Sequence, residues 1–472
     1  MRRIYTMVLF VVIASIDNTV LALLPTISPR ARQDFGIEDR SIGLIISSNL
    51  LVVALTALFW GYRSDQSDRR RLLIVGTMAW VIPIGLVAYT TSFVAFFALM
   101  LAAGIGLGCI STVGYSIITD LVPGRWRGLM LGLWGLAQGV GALMASLIVG
   151  TMAEERGWRA PFGMIAVVGV VCSLLALFAL APRKGESEEA LRTLGETGIA
   201  YEYRIRRADL PVVFRKPSMR WLMLQGFVAQ FAYGSLVWIT ALLTARLTRQ
   251  GLRVEPANGV AALLWFFLQL GGVVSLFWGW VGDRLQHAHP RARGTLAAFG
   301  FWAALPCYLV LFWAPLPLHG TRTGSAATIV RDQLARNGWW WVVIAGATLA
   351  AIAQSTNAPN WYALVSEVNL PEHRGTAFSF ITLANNIGRA CGVFLVGVTF
   401  DWLQQTIAAP TNYALGLTLF QLFFLPAGLC FWFAARTTPQ DARDVQETLQ
   451  QRAAAELDRR NARSFVAGTV SS

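Results

Sequence analysis

The sequence has little charge and very little lysine. Only 14% of its 472 residues are charged, whereas soluble proteins of this length carry about 25%. Its 39 basic residues include just two lysines, Lys184 and Lys216, and neither follows the glycine of a phosphate-binding P-loop. The composition therefore argues against a soluble protein and against an ATP-driven motor.

Cysteine and histidine are also scarce and do not cluster. The five cysteines all lie in apolar runs without paired spacing, so no disulfide framework is indicated. His287 and His289 form one close pair among the four histidines, and two ligands alone make a poor metal site. No Ser/His, Cys/His or paired-carboxylate cluster lies within the apolar runs. We therefore expect no metal, no cofactor and no enzymatic activity.

Long apolar runs dominate the chain, which is 55% hydrophobic with a mean hydropathy of +0.52. Twelve runs approach the roughly 20 residues that a helix needs to cross a bilayer. They lie at about 4–25, 42–61, 72–92, 95–119, 129–151, 162–181, 220–246, 259–280, 294–314, 338–365, 376–400 and 413–435. We expect an all-α membrane protein with twelve transmembrane helices.

A polar segment divides these runs into two groups of six. The expected parts are an N-terminal half at 1–181, a cytoplasmic central loop at 182–219, a C-terminal half at 220–435 and a cytoplasmic tail at 436–472. In the tail, apolar residues recur every four positions, at Val445, Leu449, Ala453 and Leu457. This spacing fits a helix that lies against the protein or the membrane, and a solvated tail is the alternative.

The basic residues are unevenly distributed around a net charge of +13. With twelve spans, 27 of the 39 basic residues fall on the side of both termini, 11 fall on the other side, and Arg389 lies within a helix. The positive-inside rule then places both termini in the cytoplasm. We expect a monomeric multi-pass protein of the cell membrane whose basic face meets anionic lipid and not nucleic acid.

A charged stretch between the second and third runs, GYRSDQSDRRRLL at 61–73, has a counterpart in the second half. Gly61 and Asp65 correspond to Gly279 and Asp283 at an offset of 218. A longer echo at an offset of 247 pairs Tyr115 with Tyr362, Asp120 with Glu367, Arg127 with Arg374 and Gly128 with Gly375. This parallel duplication predicts two pseudo-symmetric six-helix bundles, as in transporters whose halves rock about a central site.

The charged stretch resembles the signature loop of the major facilitator superfamily, Gly-x-x-x-Asp-Arg-x-x-Arg-Arg, between helices 2 and 3. Gly61, Asp65, Arg69, Arg70 and Arg71 occupy matching positions. The resemblance implies the twelve-helix major facilitator fold, alternating access, and a contact between Asp65 and the start of helix 11 that exists in one conformation only. The gating residues we predict are Gly61, Asp65, Arg69, Arg70, Arg127, Gly279, Asp283 and Arg374. A solubilising loop charge is the alternative for Asp65.

Within that superfamily, residues 16–48 resemble the start of spinster-like transporters. In those proteins an Asp in helix 1 is followed by an Arg; Asp17 matches the Asp, and Asn18 replaces the Arg. Ala102 and Cys109 stand where those proteins carry an Arg and a Glu in helix 4. The resemblance implies a lysolipid or sphingoid-like molecule as one candidate substrate.

Two charged residues, Asp17 and Arg389, lie near the middle of predicted helices at similar depth. Each costs roughly 2.5–3.5 kcal/mol at the bilayer centre and should face a cavity or a partner. The polar and aromatic residues that we group with them as a substrate and coupling site are Asn18, Gln138, Gln230, Gln354, Asn357, Trp361, Asn385 and Asn386. The alternatives are a structural ion pair, an Arg389 that pins the two halves together, and amides that only join helices.

These features predict a secondary active transporter for a small organic or amphiphilic solute. Since Arg389 is the one full positive charge of the expected cavity, an anionic substrate is one hypothesis and a lysolipid-like substrate is another. Proton coupling through Asp17 is a further hypothesis. The alternatives from other classes are a non-transporting membrane sensor or scaffold on the same fold, and an intramembrane enzyme.

Overall fold

The computed structural model describes residues 2–37, 39–152, 156–180, 182–192, 194, 197, 201, 203–269, 271–320 and 322–470. Eleven helices in these ranges are long and apolar enough to cross a membrane. A shorter apolar helix, Ala160–Ala176, lies at the sixth position of the chain. Together they account for the twelve predicted spans, which we label α1 to α12.

The first six spans form the N-terminal half. Spans α1 to α6 cover Arg2–Phe35, Asp39–Ser64, Arg69–Val87, Phe93–Leu121, Arg127–Met152 and Ala160–Ala176. A π-helical turn at Ile110–Gly114 interrupts α4. α1 is longer than its predicted apolar run because the polar residues that follow the run stay helical as far as Phe35.

The last six spans form the C-terminal half. Spans α7 to α12 cover Pro217–Arg249, Val254–Gln269 with Gly271–Ala288, Ala292–Trp313, Gly338–Glu367, Arg374–Leu403, and Thr411–Gln421 with Phe424–Val470. A separate helix, Ala326–Arg336, lies between α9 and α10. Each apolar run of the sequence thus corresponds to one span.

Side-chain caps set where several helices begin. The Asp68 carboxylate accepts the Arg70 backbone N–H at 3.0 Å and starts α3. Asn337 accepts the Trp339 N–H at 3.0 Å and starts α10. Both are polar residues at the N-cap position, where a side-chain oxygen satisfies a free N–H group of the helix's first turn.

The two halves meet where glycines let their helices approach closely. Gly61 of α2 faces Gly375 of α11, and a Cβ at Gly375 would lie 2.7 Å from the Gly61 carbonyl oxygen. Gly128 of α5 faces Gly279 of α8, where a Cβ at Gly128 would lie 2.7 Å from the Gly279 carbonyl oxygen. A side chain at either position would force the helices apart, so these glycines hold the halves in contact.

The tail continues α12 as one helix that packs against the protein. Val445, Leu449 and Ala453 are buried in a small cluster with Leu191 of the central loop and Leu370 of the α10–α11 connection. The four-residue spacing therefore marks a docked helix and not a solvated tail. This contact ties the tail to the central loop.

Candidate functional site

A cavity of about 480 Å³ lies between the two halves. Nine of the ten predicted substrate and coupling residues line it: Asp17, Asn18, Gln230, Gln354, Asn357, Trp361, Asn385, Asn386 and Arg389. The Gln138 side chain lies outside the described residues. The sequence prediction therefore gathered side chains that the fold does bring together.

Asp17 is buried in the wall of this cavity, with 2% of its surface exposed. Neither of its carboxyl oxygens has a hydrogen-bond partner among the described residues. No ion pair joins it to Arg389 in the described part of the chain. The structural ion pair left open by the sequence is therefore absent from this conformation.

Arg389 is exposed to the cavity on α11. Asp17 is the other charged residue among the described lining residues, and every remaining lining side chain is neutral. The guanidinium has no ion-pair partner among the residues that the structure describes. The cavity therefore offers one unpaired cation to a ligand.

Several amide groups of the wall are only partly hydrogen-bonded. The Gln354 Oε1 accepts the Tyr308 hydroxyl at 2.7 Å, and the Asn357 Nδ2 donates to the Tyr233 hydroxyl at 3.2 Å. The Oδ1 atoms of Asn357 and Asn385 are buried without a partner among the described residues. These free acceptors suit the hydroxyl or N–H groups of a polar ligand.

Three predicted site residues use their donor groups within the protein. The Trp361 indole N–H donates to the Leu222 carbonyl oxygen at 3.1 Å. The side-chain amides of Asn18 and Asn386 donate to backbone carbonyls one turn earlier, at 2.8 Å and 3.0 Å. These residues shape the wall, and what they offer a ligand is a ring face or an amide oxygen.

Two tyrosines from opposite halves close one end of the cavity. The rings of Tyr115 and Tyr362 stack with their centroids 4.0 Å apart, and the centroid of the Phe378 ring lies 5.3 Å from that of Tyr115. Both tyrosines line the cavity. They belong to the sequence echo at the offset of 247, so the duplication places them symmetrically. The stacked pair separates the cavity from the end of the bundle that carries Gly61–Leu73, which we call the signature-loop face.

Two aspartates cap helices of the opposite half at the signature-loop face. Asp65 accepts the backbone N–H groups of Gly375 at 3.0 Å and Thr376 at 2.7 Å, at the start of α11. Asp283 accepts those of Gly128 at 2.8 Å and Leu129 at 2.9 Å, at the start of α5. A carboxylate at a helix N-terminus satisfies free N–H groups and complements the helix dipole. The contact implied for Asp65 is present, and its gating role stays a prediction.

Buried arginines join the halves around these caps. Arg69 pairs with Asp120, and it also donates to the Pro371 carbonyl oxygen of the opposite half at 3.4 Å. Arg374 reaches Asp120 across the interface at 3.0 Å. Asp120 therefore accepts one guanidinium from each half.

The central loop supplies a second shared carboxylate, Glu188, which the sequence reasoning missed. Its Oε1 accepts Arg127 Nη2 at 2.9 Å and also pairs with Arg374 Nη2. Arg127 and Arg374 are equivalent residues of the two halves, and both are buried. We call this three-residue contact the Glu188 lock. No periodicity marks Glu188 in the sequence; its one signal is that it is an acidic residue in the loop between the halves that carry Arg127 and Arg374.

Among the described residues, no hydrogen bond or ion pair of Arg70 crosses the interface. Its guanidinium donates to the Leu177 carbonyl oxygen at 3.2 Å, within the N-terminal half. Successive residues of a helix point in different directions, so Arg69 faces the partner half while Arg70 faces away. This placement does not support the gating role predicted for Arg70.

The loop-face carboxylates have perturbed pKa values. Burial raises the pKa of Asp65 to about 6, and this effect outweighs the lowering by Arg69, by Lys184 and by the bonds to Thr376. Burial would also raise the pKa of Glu188, but Arg374 and Arg127 hold it at about 2. Glu188 is therefore fully ionised at neutral pH.

Comparison with known proteins decides the family. The sequence model described as Major Facilitator Superfamily matches residues 7–330 and 320–469. The chain belongs to the major facilitator superfamily. This membership confirms the predicted fold and the prediction of secondary transport by a multi-pass membrane protein.

Relatives within the superfamily have transporter names or spinster names. Protein spinster homolog 3 of Danio rerio is 24% identical over 80% of this chain and 72% of its own length. The cis,cis-muconate transport protein of Acinetobacter baylyi is 22% identical over 67% of this chain and 77% of its own. The gentisate transporter of Corynebacterium glutamicum is 25% identical over 71% of this chain and 76% of its own.

Solved structures share the fold. A bacterial homologue of the human lysosomal transporter spinster, inward-facing and occupied, superposes with a TM-score of 0.55 at 18% identity, covering 93% of this chain and 98% of that one. A human organic anion transporter superposes with a TM-score of 0.64 at 17% identity, covering 92% and 100%. The spinster-like resemblance of residues 16–48 is thus supported by the similarity to curated spinster sequences, while the solved structures show the shared fold.

Proposed function

We propose that this major facilitator protein carries a small organic anion, with a carboxylate held by Arg389. The observation that carries the proposal is an exposed guanidinium without a partner among the described residues, in a cavity of about 480 Å³. This volume lies within the roughly 300–1,000 Å³ of small-molecule sites. A guanidinium binds a carboxylate through two parallel hydrogen bonds, which favours this class of anion.

The rest of the wall supports a planar, unsaturated acid. Five aromatic rings line the cavity, those of Tyr115, Tyr233, Trp265, Trp361 and Tyr362. Such rings stack on flat ligands, and the free amide oxygens accept hydroxyl groups. Relatives named for cis,cis-muconate, gentisate and hexuronate transport point to organic acids as well. A lysolipid, suggested by the spinster likeness, is the second candidate.

Alternating access requires the contacts of the signature-loop face to break. In this conformation Asp65, Asp283 and the Tyr115–Tyr362 stack join the halves between the cavity and that face. We place this face in the cytoplasm because 27 of the 39 basic residues fall on its side. On that basis, the cavity here communicates with the outside of the cell membrane, and substrate reaches the cytoplasm after the halves rock.

Asp17 is the candidate proton site for coupling. A buried carboxylate without a hydrogen-bond partner is unfavourable, whereas the neutral acid avoids most of that cost. Asp17 lines the same cavity as Arg389 but does not contact it. If rocking brings a cation or water to Asp17, the residue releases its proton in that conformation, and transport is coupled to the proton gradient.

Uptake into proteoliposomes tests the proposal. We expect labelled gentisate or cis,cis-muconate to enter with wild-type protein, to be lost in Arg389→Gln, and to be partly retained in Arg389→Lys, which keeps the charge but not the paired donors. Arg284→Gln is the matched control, because Arg284 is exposed and does not line the cavity. Uptake of lysolipid but not of either acid would replace the proposed substrate with the second candidate.

A further inference from the structure

A second cavity, of about 1200 Å³, lies at the signature-loop face and shares no lining residue with the substrate cavity. Its walls come from both halves, the central loop and the tail. The basic residues among them are Arg3, Arg125, Arg127, Arg183, Lys184, Arg192, Arg293 and Arg374, with His287 at the edge. The substrate pathway described above does not use this cavity.

The carboxylates of this wall are already neutralised by arginines. Five of them form ion pairs, namely Asp120, Glu186, Glu188, Asp283 and Glu367. The sixth acidic residue of the wall, Glu189, is exposed. Little negative charge therefore remains in the wall to pair with its other basic side chains.

Hydrogen-bond donors are left over in the same wall. The Nε atoms of Arg127 and Arg293 are buried and have no partner among the described residues, although both arginines are at least 98% buried. No buried side-chain acceptor of the described wall lacks a hydrogen-bond partner. Arg125 and Arg183 are exposed at the rim, and neither guanidinium pairs with a carboxylate in the described part of the chain. The unsatisfied polarity is thus entirely that of donors.

We propose that this cavity binds a phosphate-bearing anion, either a free phosphate compound or the headgroup of an anionic lipid. Guanidinium groups recognise phosphate oxygens through paired, charge-assisted hydrogen bonds, and the volume exceeds that of a single ion. Arg125 lies beside the start of α5, Arg183 lies in the central loop, and Arg374 starts α11. Because the walls belong to both halves, the anion binds the conformation in which this face is closed.

Such a ligand acts as a conformational effector. A ligand that binds one of two conformations more tightly shifts the population toward it by the ratio of its affinities. Phosphate binding would therefore hold the signature-loop face closed and slow the conformational change that opens it. The effect is independent of which solute occupies the substrate cavity.

The test uses full-length protein and pyrophosphate, with thermal unfolding as the readout. We expect pyrophosphate to raise the Tm of wild-type protein in detergent, and the Arg125→Gln, Arg183→Gln double variant to weaken its binding by about tenfold or more. Both arginines are exposed, so the variant should fold normally. Arg291→Gln is the matched control, since Arg291 is an exposed arginine of the same face outside the cavity.

A parallel arm distinguishes the two sources of phosphate. If nanodiscs containing phosphatidylglycerol stabilise wild-type but not the double variant, while pyrophosphate has no effect, the ligand is a lipid headgroup. The proposal is overturned if neither pyrophosphate nor phosphatidylglycerol stabilises the protein relative to phosphatidylcholine alone. It is also overturned if the double variant responds as the wild type and the Arg291→Gln control do.

Discussion

Replacing Glu188 by Gln should release the signature-loop face. The substitution keeps the size of the side chain but removes the charge that Arg127 and Arg374 share. The pKa of Glu188 falls from 4.5 to about 2 in this conformation, which corresponds to about 3 kcal/mol in favour of the ionised, closed form. That energy is about two orders of magnitude in the ratio of closed to open molecules, and it applies in full if opening separates Glu188 from both arginines.

Ser379 provides a reporter of opening. It is fully buried beside Gly61 where α2 meets α11, so Ser379→Cys in a cysteine-free background should react with a thiol reagent only when the halves separate. We expect Glu188→Gln to raise the labelling rate by up to about 100-fold at neutral pH. Glu189→Gln is the control, because the neighbouring Glu189 is exposed and has no ion-pair partner among the described residues.

Unchanged labelling in Glu188→Gln would mean that the Glu188 lock does not contribute to closure. The pH dependence gives a second check. A carboxyl whose pKa is lowered stabilises the closed form above its ordinary pKa of 4.5 and loses that effect as the pH falls toward 2. The difference between wild type and Glu188→Gln should therefore stay constant between about pH 7 and pH 5.5.

Three further predictions concern Asp17, Asp65 and Arg452. Asp17→Asn should abolish accumulation driven by an imposed pH gradient but leave substrate exchange in proteoliposomes; surviving accumulation would remove Asp17 as the coupling site. The pKa of Asp65 is raised to about 6 in the closed form, so the closed form binds a proton more tightly than a form in which Asp65 is exposed. Closure should therefore strengthen as the pH falls through 6 toward 3.8. Labelling of Ser379→Cys should slow over this range, and Asp65→Asn should lose that pH response. Arg452→Gln removes the ion pair with Glu372 that anchors the tail. It should raise the labelling rate of Ser379→Cys by less than Glu188→Gln does, and an unchanged rate would mean that the tail does not contribute to closure.

The internal duplication explains why so much of the interface was predictable. Gly61 and Asp65 recur as Gly279 and Asp283, and these pairs make equivalent contacts because each half caps a helix of the other. Tyr115 and Tyr362 meet for the same reason. When two halves of a chain share a sequence repeat and fold alike, the matching residues occupy equivalent positions.

Features that belong to no sequence repeat and no periodic pattern could not be predicted from the sequence. Glu188 lies in a loop with both charge signs, and nothing local shows that two arginines from different halves converge on it. The depths of Asp17 and Arg389 in the membrane could be predicted by counting residues along their helices. Whether the two side chains face each other depends on the rotation and tilt of α1 and α11. That rotation is set by packing and not by the count of residues.

Selection of an anionic substrate by Arg389 can be tested by measuring, with calorimetry, the binding of an acid and of its uncharged amide. Gentisate and gentisamide differ at the one group that the guanidinium would hold. We expect wild-type protein to bind the acid at least about tenfold more tightly than the amide, since a charge-assisted pair contributes about 1.5–3 kcal/mol. We expect Arg389→Gln to bind both equally. Equal binding of acid and amide by wild-type protein, or a preference for the acid that survives in Arg389→Gln, would contradict selection by Arg389.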